Sequence, residues 1–209
     1  MMSFGDAYWV VPHPERETLY LSEAQGGNIW RTDLATGQQV GVSPQPERND
    51  GGPAEDLQYR FDWNAPILRS PHDNNTVYFA ANVVFKSEDF GDTWTRISPE
   101  LTEDNPDHQG PAGGPVWPEN TVAEYHNTII AVAESPRQPG LLWAGTDDGR
   151  LHVSADGGDN WTSLYDRIGV DDNGAVRHIE PSRTDADTAY VAIDRHMFDD
   201  RTPYVYRTT

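Results

Sequence analysis

The sequence predicts an all-β protein built from about four repeated units of three or four strands each. Three observations predict this fold class: a motif that occurs twice, similar sequences around both copies, and a chain rich in turn-forming residues. The 209 residues include 18 Gly and 16 Pro. Short β-branched and aromatic runs alternate with Gly, Pro, Asn and Asp clusters, and no stretch has the 3.6-residue period of an amphipathic helix.

The motif has the pattern S-x-D-x-G-x-x-W and is called the box below. Its residues are Ser87, Asp89, Gly91 and Trp94 in the first copy, and Ser154, Asp156, Gly158 and Trp161 in the second. We predict a structural hairpin in which the Asp accepts backbone N–H groups, the Gly adopts a positive φ and the Trp is buried against neighbouring strands. A catalytic or metal-binding role for Asp89 or Asp156 is the alternative.

The sequences that flank the boxes also repeat, and two degenerate copies lie at the start and the end of the chain. The approximate units are 6–43, 65–101, 128–168 and 176–209, separated by Pro-, Gly- and acid-rich inserts at 44–60 and 101–127. Four-stranded units that recur every 40–60 residues or so are typical of β-propeller blades. We therefore predict a β-propeller of antiparallel blades with box hairpins, in which both inserts are loops.

The last unit is predicted to be incomplete. Its end, Arg207-Thr208-Thr209, stops before the position of a box Asp, so the unit lacks its box and its outermost strand. An open edge of this kind is unfavourable in a closed propeller. We expect a segment of a longer chain, or else an edge that is closed by another copy or by the N-terminal strand.

The charge of the chain is strongly negative. Thirty-four acidic residues face 15 basic ones, giving a net charge of −19, and Lys86 is the only lysine. We interpret this as adaptation to high salt, where an acidic surface maintains solubility and Arg suits paired contacts. An acidic face for a basic partner is the alternative, while nucleic acid is disfavoured as a partner.

Other sequence features exclude further classes. The absence of cysteine excludes disulfides and thiolate metal sites. No apolar run approaches the roughly 20 residues of a membrane span, and the first residues lack the pattern of a signal peptide. Neither a phosphate-binding Gly loop nor a Ser–His–Asp pattern is visible. The acidic pairs 103–104 and 171–172 lack the spacing of a calcium loop. We expect neither a cofactor nor a metal.

The boxes, together with RFDWNAPI, ESPRQPGLLWAGTDDGRLHVS and HIEPSRTDADTAYVAIDRH, resemble the large bacterial and archaeal BNR-repeat (Asp-box) proteins with sortilin-like propellers. These proteins are often labelled glycosyl hydrolases. The resemblance covers about Tyr20 to Thr209. It implies a longer protein, an extracellular or cell-envelope location and a glycan or protein ligand. Asp-box propellers also include sialidases and xyloglucanases, so the fold does not define an activity.

Three arginines are candidate ligand-facing residues. Arg69, Arg137 and Arg177 lie near the starts of units, where innermost strands would line a channel. In a sialidase-like site such arginines would clamp a carboxylate, and Tyr125 with a nearby Glu would supply the nucleophile pair. Surface or interstrand pairing is the alternative, and the Arg-Ile-Pro segment of sialidases is absent.

Aromatic residues and histidines complete the candidates. Exposed Trp63, Trp117 and Tyr125 would stack on sugars or pin loops to the body of the protein. A further set of side chains would converge on adjacent strands of the last unit, as a buried polar pairing or as metal ligands: His178, Glu180, Asp194 and His196. A glycosidase needs two carboxylates about 5–10 Å apart, but 34 acids offer too many pairs to select one.

These observations favour a non-catalytic propeller segment that serves as a binding or scaffolding surface. Its expected partners are the remaining blades of a longer chain or another copy. The alternative is part of a sialidase- or xyloglucanase-like glycoside hydrolase whose site is completed by further blades.

Overall fold

A computed structural model describes residues 9–45, 53–111, 116, 125–169 and 174–208. Fifteen strands in these ranges form four antiparallel sheets, three of four strands and one of three. Helical structure is limited to the single turn Tyr165–Ile168 (α1) and the 3₁₀ turns Ala54–Asp56, Pro106–His108 and His196–Phe198. The all-β prediction is confirmed. No helix within the described residues is long and apolar enough to cross a membrane.

Each sheet is a meander, so consecutive strands are hydrogen-bonded neighbours. Sheet 1 contains Val10–Pro12 (β1), Leu19–Ala24 (β2), Asn28–Asp33 (β3) and Gln38–Gly41 (β4). Sheet 2 contains Ile67–Arg69 (β5), Val77–Ala80 (β6), Val84–Ser87 (β7) and Thr95–Arg96 (β8). Sheet 3 contains Ile129–Glu134 (β9), Leu142–Thr146 (β10), Leu151–Ser154 (β11) and Thr162–Ser163 (β12). Sheet 4 contains Ala175–Pro181 (β13), Ala189–Arg195 (β14) and Asp200–Arg207 (β15).

The core lies between successive sheets rather than inside one closed layer. Adjacent side chains on β6 illustrate this arrangement, because side chains alternate between the two faces of a strand. Phe79 packs toward sheet 1 with Leu21, whereas Tyr78 packs toward sheet 3 with Leu142. All four are buried. Sheet 2 is therefore covered on both faces, as expected of a blade that stands between two others.

The first strands of the four sheets stand beside one another. Among the described strands, β5 contacts both β1 and β9, and β9 in turn contacts β13. Each of these strands is an edge of its sheet, because it pairs with only one neighbour. We call these four edges the inner edges, because they face one another. The inner edges therefore line a common groove.

Both boxes form the same tight hairpin. Ser87 Oγ accepts a hydrogen bond of 2.8 Å from the Gly91 N–H and donates one of 2.8 Å to Asp89 Oδ1. The same Asp89 oxygen accepts the backbone N–H of Thr93 at 2.8 Å. Gly91 has a φ of 92°, which a side chain would strain. The second box repeats these bonds through Ser154, Asp156, Gly158 and the N–H of Asn160.

The two box tryptophans connect neighbouring sheets. Trp94 Nε1 of sheet 2 donates a hydrogen bond to the carbonyl oxygen of Val42, which follows sheet 1, at 2.6 Å. Trp161 Nε1 of sheet 3 donates to the carbonyl oxygen of Ile97, which follows sheet 2, at 2.9 Å. Each box therefore fastens its own sheet to the sheet before it.

Candidate functional site: the inner-strand groove

The inner strands enclose an open groove of about 600 Å³. Its floor is largely apolar and comes from β5, β9 and β13, with residues such as Leu68, Ala131 and Ile179. Trp9, which precedes β1, also lines the groove and leaves 45% of its surface exposed. Pockets that combine an apolar floor with a few polar groups are the usual form of ligand sites, so this groove is the candidate functional site.

Three arginines and two glutamates supply the charges of the groove: Arg69, Arg177, Arg183, Glu134 and Glu180. Their formal sum is +1, within a chain of net charge −19. The groove therefore carries a positive formal charge, although the molecule as a whole is strongly negative. Because Arg presents a planar fork of donors that matches a carboxylate or sulfate, this groove suits an anionic ligand group.

Arg69 is the least neutralised of the three arginines. Its Nη1 donates to the carbonyl oxygen of Ser70 at 3.1 Å and to Asn74 Oδ1 at 3.3 Å. Within the described part of the chain, no carboxylate oxygen lies within ion-pair distance of its guanidinium. Two neutral oxygens orient this cation and leave its charge available to a ligand.

The other two arginines form long, exposed ion pairs. Arg177 Nε lies 3.7 Å from Asp194 Oδ2, and the Arg177 side chain is 52% exposed. Arg183 Nε lies 4.0 Å from Glu180 Oε1, and the Arg183 side chain is 86% exposed. Exposed pairs of this kind contribute about 0–1 kcal/mol. Little free energy is therefore lost when a ligand anion replaces Asp194 or Glu180 as the partner of either guanidinium.

Two acids, the buried Glu23 and the half-buried Asp62, lie close to Trp9. Glu23 on β2 is fully buried, and burial raises its pKa from the usual 4.5 to about 9. The backbone N–H groups of Trp9 and Ala65 oppose this shift, while the carboxyl of Asp62 adds to it. Neither Glu23 oxygen has a hydrogen bond of ordinary geometry within the described chain. Glu23 is therefore protonated at neutral pH.

Asp62 interacts electrostatically with both Glu23 and Arg177. Burial raises the pKa of Asp62, and the nearby Asp147 raises it further, whereas the charge of Arg177 lowers it. Arg177 thus neutralises part of the acidic cluster from the groove side. Because Glu23 is fully buried, it cannot touch a groove ligand without movement of the residues that cover it. The groove is therefore suited to bind an anionic group through its arginine side chains.

Of the residues singled out from sequence, Arg69, Arg177 and His178 meet in this groove. Arg137 lies in the turn after β9, where its N–H donates to Ser135 Oγ at 3.2 Å, and it does not line the groove. Trp63 and Tyr125 are half-buried in the segments that precede β5 and β9, also outside the groove lining. Trp117 lies outside the described residues.

The predicted convergence of histidines and acids in the last unit takes another form. His178 Nε2 lies 3.6 Å from Glu180 Oε2, while His196 Nδ1 lies 2.6 Å from Asp194 Oδ2. The imidazoles are 70% and 57% exposed, so the structure shows two surface pairs instead of one buried cluster. His178 and Glu180 lie two residues apart on the exposed face of β13, whereas His196 lies in the 3₁₀ turn that follows β14. Within the described ranges, no three His, Asp or Glu side chains are arranged to hold a metal.

Sequence reasoning missed Trp9 and Arg183 as groove residues. A repeat signal existed for Arg183. The turns after β5, β9 and β13 each contain a serine that caps the turn, namely Ser70, Ser135 and Ser182. The residue after that serine lines the groove in every case, as Pro71, Pro136 and Arg183. Aligning the three turns would therefore have placed Arg183 in the channel.

Comparison with solved structures identifies similar folds among GH74 enzymes. The Niastella koreensis GH74 enzyme has a TM-score of 0.59 at 15% identity, over 100% of this chain and 29% of that chain. An ancestral GH74 enzyme has a TM-score of 0.58 at 11% identity, over 100% and 23%. The Xanthomonas campestris GH74 xyloglucanase has a TM-score of 0.55 at 17% identity, over 99% and 30%.

These similarities show the fold. The β-propeller prediction is confirmed. The chain spans less than a third of the length of these GH74 structures. No protein-family model matches the sequence, and no curated protein matches it either.

Proposed function

We propose that this chain is a non-catalytic, ligand-binding segment of a longer β-propeller protein, and that its inner-strand groove binds an acidic glycan. The observation that carries the proposal is Arg69, a guanidinium without a carboxylate partner among the described residues, in one groove with the weakly paired Arg177 and Arg183. A sugar carboxylate is the group that such a cluster recognises best.

The groove also supports a glycan over a peptide ligand. Trp9 is almost half exposed at its wall, and an exposed indole offers an apolar face on which a sugar ring stacks. The floor is made of short side chains such as Ala131 and Ala133. An extended oligosaccharide fits such a floor, with its carboxylates directed to the arginines.

We further propose that the parent protein is secreted by an organism that lives at high salt. The excess of 34 acidic over 15 basic residues and the single lysine support the salt adaptation. At about 1 M salt the screening length falls to roughly 3 Å. Long-range repulsion of an anionic glycan by the acidic surface then becomes small, while direct Arg–carboxylate contacts persist.

Calorimetric titration in 2 M KCl tests the proposed ligand class. We expect an oligosaccharide of galacturonic acid to bind, and a neutral xyloglucan oligosaccharide to bind far more weakly. Since a hydrogen bond to a charged group contributes about 1.5–3 kcal/mol, Arg69→Ala should weaken binding roughly tenfold or more. Arg177 is more exposed, so Arg177→Ala should cost about 0–1 kcal/mol, or up to roughly fivefold in affinity. Arg201→Ala, an exposed change on β15 outside the groove, is the matched control. Equal affinity of wild type and both groove variants would refute the proposal.

A glycoside hydrolase segment is the second candidate. One observation favours it: the GH74 enzymes share the fold. Glu23 keeps its proton at neutral pH as a general acid must, but because it is fully buried, the residues that cover it would have to move before it reached a substrate. New reducing ends released from xyloglucan oligosaccharides, and lost in both Glu23→Gln and Asp62→Asn, would support this candidate. Binding of the acidic oligosaccharide without any cleavage would support the binding segment.

A further inference from the structure

A second groove, of about 650 Å³, lies between sheets 3 and 4, apart from the inner-strand groove. Its walls are mainly apolar and include Trp143 of β10, Leu151 of β11, Leu164 and Val191 of β14. The equivalent surface between sheets 1 and 2, and that between sheets 2 and 3, holds a box tryptophan. The three interfaces are therefore directly comparable.

Strand register establishes which residues correspond at the three interfaces. The residue that follows the outermost strand donates its N–H back to the third strand in every four-stranded sheet. These bonds join Val42 to Ile29 at 2.8 Å, Ile97 to Val84 at 2.9 Å, and Leu164 to Leu151 at 2.8 Å. Leu164 thus occupies in sheet 3 the position that Val42 and Ile97 occupy in the two sheets before it.

The second strands give the same correspondence. Lys86 and Val153 each precede a box serine. On the second strand, Lys86 pairs with Tyr78 in sheet 2, and Val153 pairs with Trp143 in sheet 3. The matching position in sheet 1 is Leu21, opposite Arg31. Leu21 packs in the core that receives Trp94, and Tyr78 packs in the core that receives Trp161. By this register, Trp143 forms the wall on which a third indole would pack.

The two occupied interfaces show how closely a box hairpin fits. A Cβ added to Gly91 would lie 3.2 Å from Val42 Cγ2, and one added to Gly158 would lie 2.7 Å from the Ile97 carbonyl oxygen. The box glycine thus packs directly on the residue whose carbonyl accepts the indole N–H. The carbonyl oxygen of Leu164 is the corresponding acceptor at the third interface. It already accepts the Arg167 N–H at 3.0 Å, so an indole N–H would be the second donor to this oxygen, which has two lone pairs.

Strand β15 ends where such a hairpin would begin. Thr208 exchanges hydrogen bonds with Ala189, its N–H donating to the Ala189 carbonyl oxygen at 2.9 Å and its Oγ1 accepting the Ala189 N–H at 2.7 Å. The box serines Ser87 and Ser154 pair with Val77 and Leu142 at the matching place on their second strands. Thr208 also lines the groove. It therefore stands at the position of a box serine.

We propose that the groove between sheets 3 and 4 is the docking site of a tryptophan-bearing box hairpin that continues strand β15. Its indole packs against Leu164, Ile168 and Tyr206, which are only partly buried, beside the buried Trp143. Its indole N–H donates to the Leu164 carbonyl oxygen. This inference rests on the proposed longer propeller, but it does not depend on the glycan-binding role of the inner-strand groove.

An extended chain tests the docking site. A copy of residues 155–164 placed after Thr208 puts a tryptophan seven residues beyond Thr208, the spacing from Ser154 to Trp161. Because about 1 kcal/mol shifts the unfolding temperature of a chain of this size by about 2–4 °C, we expect the midpoint to rise by at least about 3 °C. We also expect the new indole N–H to be protected from hydrogen exchange.

Two controls keep the test specific. The same extension with its Trp→Ala change should give no rise, and Leu164→Asp in the extended chain should abolish the rise relative to unextended Leu164→Asp. An equal midpoint for the Trp and Ala extensions, with an unprotected indole, would overturn the proposal. Stabilisation by a separate peptide of the same sequence, but not by the extension, would overturn the continuation of β15. Glycan binding by the unextended chain is measured separately, so either proposal is able to fail alone.

Discussion

The indole nitrogen of Trp94 donates a hydrogen bond of 2.6 Å to the carbonyl oxygen of Val42, 52 residues earlier in the sequence, and this bond joins sheets 1 and 2. The ring of Trp94 also packs against the cluster that contains Phe79 and Leu21. One side chain thus contributes both a partly buried ring and a hydrogen bond to the contact between sheets 1 and 2.

Removal of the Trp94 ring should destabilise this contact. For Trp94→Ala we expect a loss of about 3 kcal/mol in the free energy of unfolding, because large-to-small changes at packed aromatic residues leave a cavity. Trp94→Phe retains a ring and removes the hydrogen bond, so it should cost about 1 kcal/mol. Urea denaturation followed by circular dichroism measures both values. Equal losses in the two variants would show that packing of the ring contributes nothing.

The box aspartate should matter for stability and not for ligand binding. Asp156 Oδ1 accepts the N–H of Asn160 at 2.9 Å and the hydroxyl of Ser154 at 2.9 Å. Hydrogen bonds to the Asn160 side chain and backbone hold the pKa of Asp156 below its usual range.

Asp156→Ala should therefore lower the free energy of unfolding and leave glycan affinity unchanged. Asp156→Asn keeps an acceptor oxygen and serves as the milder control. The two readouts are denaturation and calorimetric titration of the same samples. Lost affinity at unchanged stability would instead assign Asp156 to a binding site.

Glu23 should make the protein less stable as the pH rises. Its folded pKa of about 9 lies above the usual 4.5, so between these two values the folded chain holds a proton that the unfolded chain releases. The stability contribution is complete below about pH 4.5 and is lost as the pH rises toward 9, by about 1 kcal/mol per pH unit.

Glu23→Gln, which is neutral at every pH, should remove this slope. The variant should gain about 2 kcal/mol relative to wild type between pH 5 and pH 7. Denaturation of both proteins at each pH isolates the effect, since the other carboxyls are common to both. Parallel stability curves would mean that Glu23 is ionised in the folded protein.

Salt should stabilise the chain. With a net charge of −19, self-repulsion of the folded state is strong at low ionic strength and is screened as salt is added. The unfolding temperature should rise from about 0.1 M KCl into the molar range, where the screening length is about 3 Å. A flat or falling temperature over this range would contradict the proposed salt adaptation.

The repeat made much of this fold predictable. Residues that occur twice in one pattern, such as Ser87 and Ser154, specified the hairpins, because a local motif determines local hydrogen bonds. Arg69 and Arg177 were also placed on inner strands, since each begins a unit.

The groove chemistry was less accessible from sequence. Glu23 lies on a short strand in an acidic chain, and nothing local distinguishes it from a surface carboxyl. Its burial arises from Trp9 and from residues 62–65, which reach it only through the tertiary fold. For the same reason the acceptors of the box tryptophans were not foreseen, because Val42 and Ile97 belong to other units than the indoles that they bind.

The direction of the box contacts has a consequence for synthesis on the ribosome. Each sheet receives its fastening indole from the sheet that follows it in sequence. A newly made sheet therefore leaves the exit tunnel with one face still uncovered. It is secured only when the next box tryptophan has been translated, 52 residues after Val42 for sheet 1 and 64 residues after Ile97 for sheet 2. The sheets are therefore completed one after another during synthesis, and the most recently made sheet is the one most exposed to unfolding and aggregation.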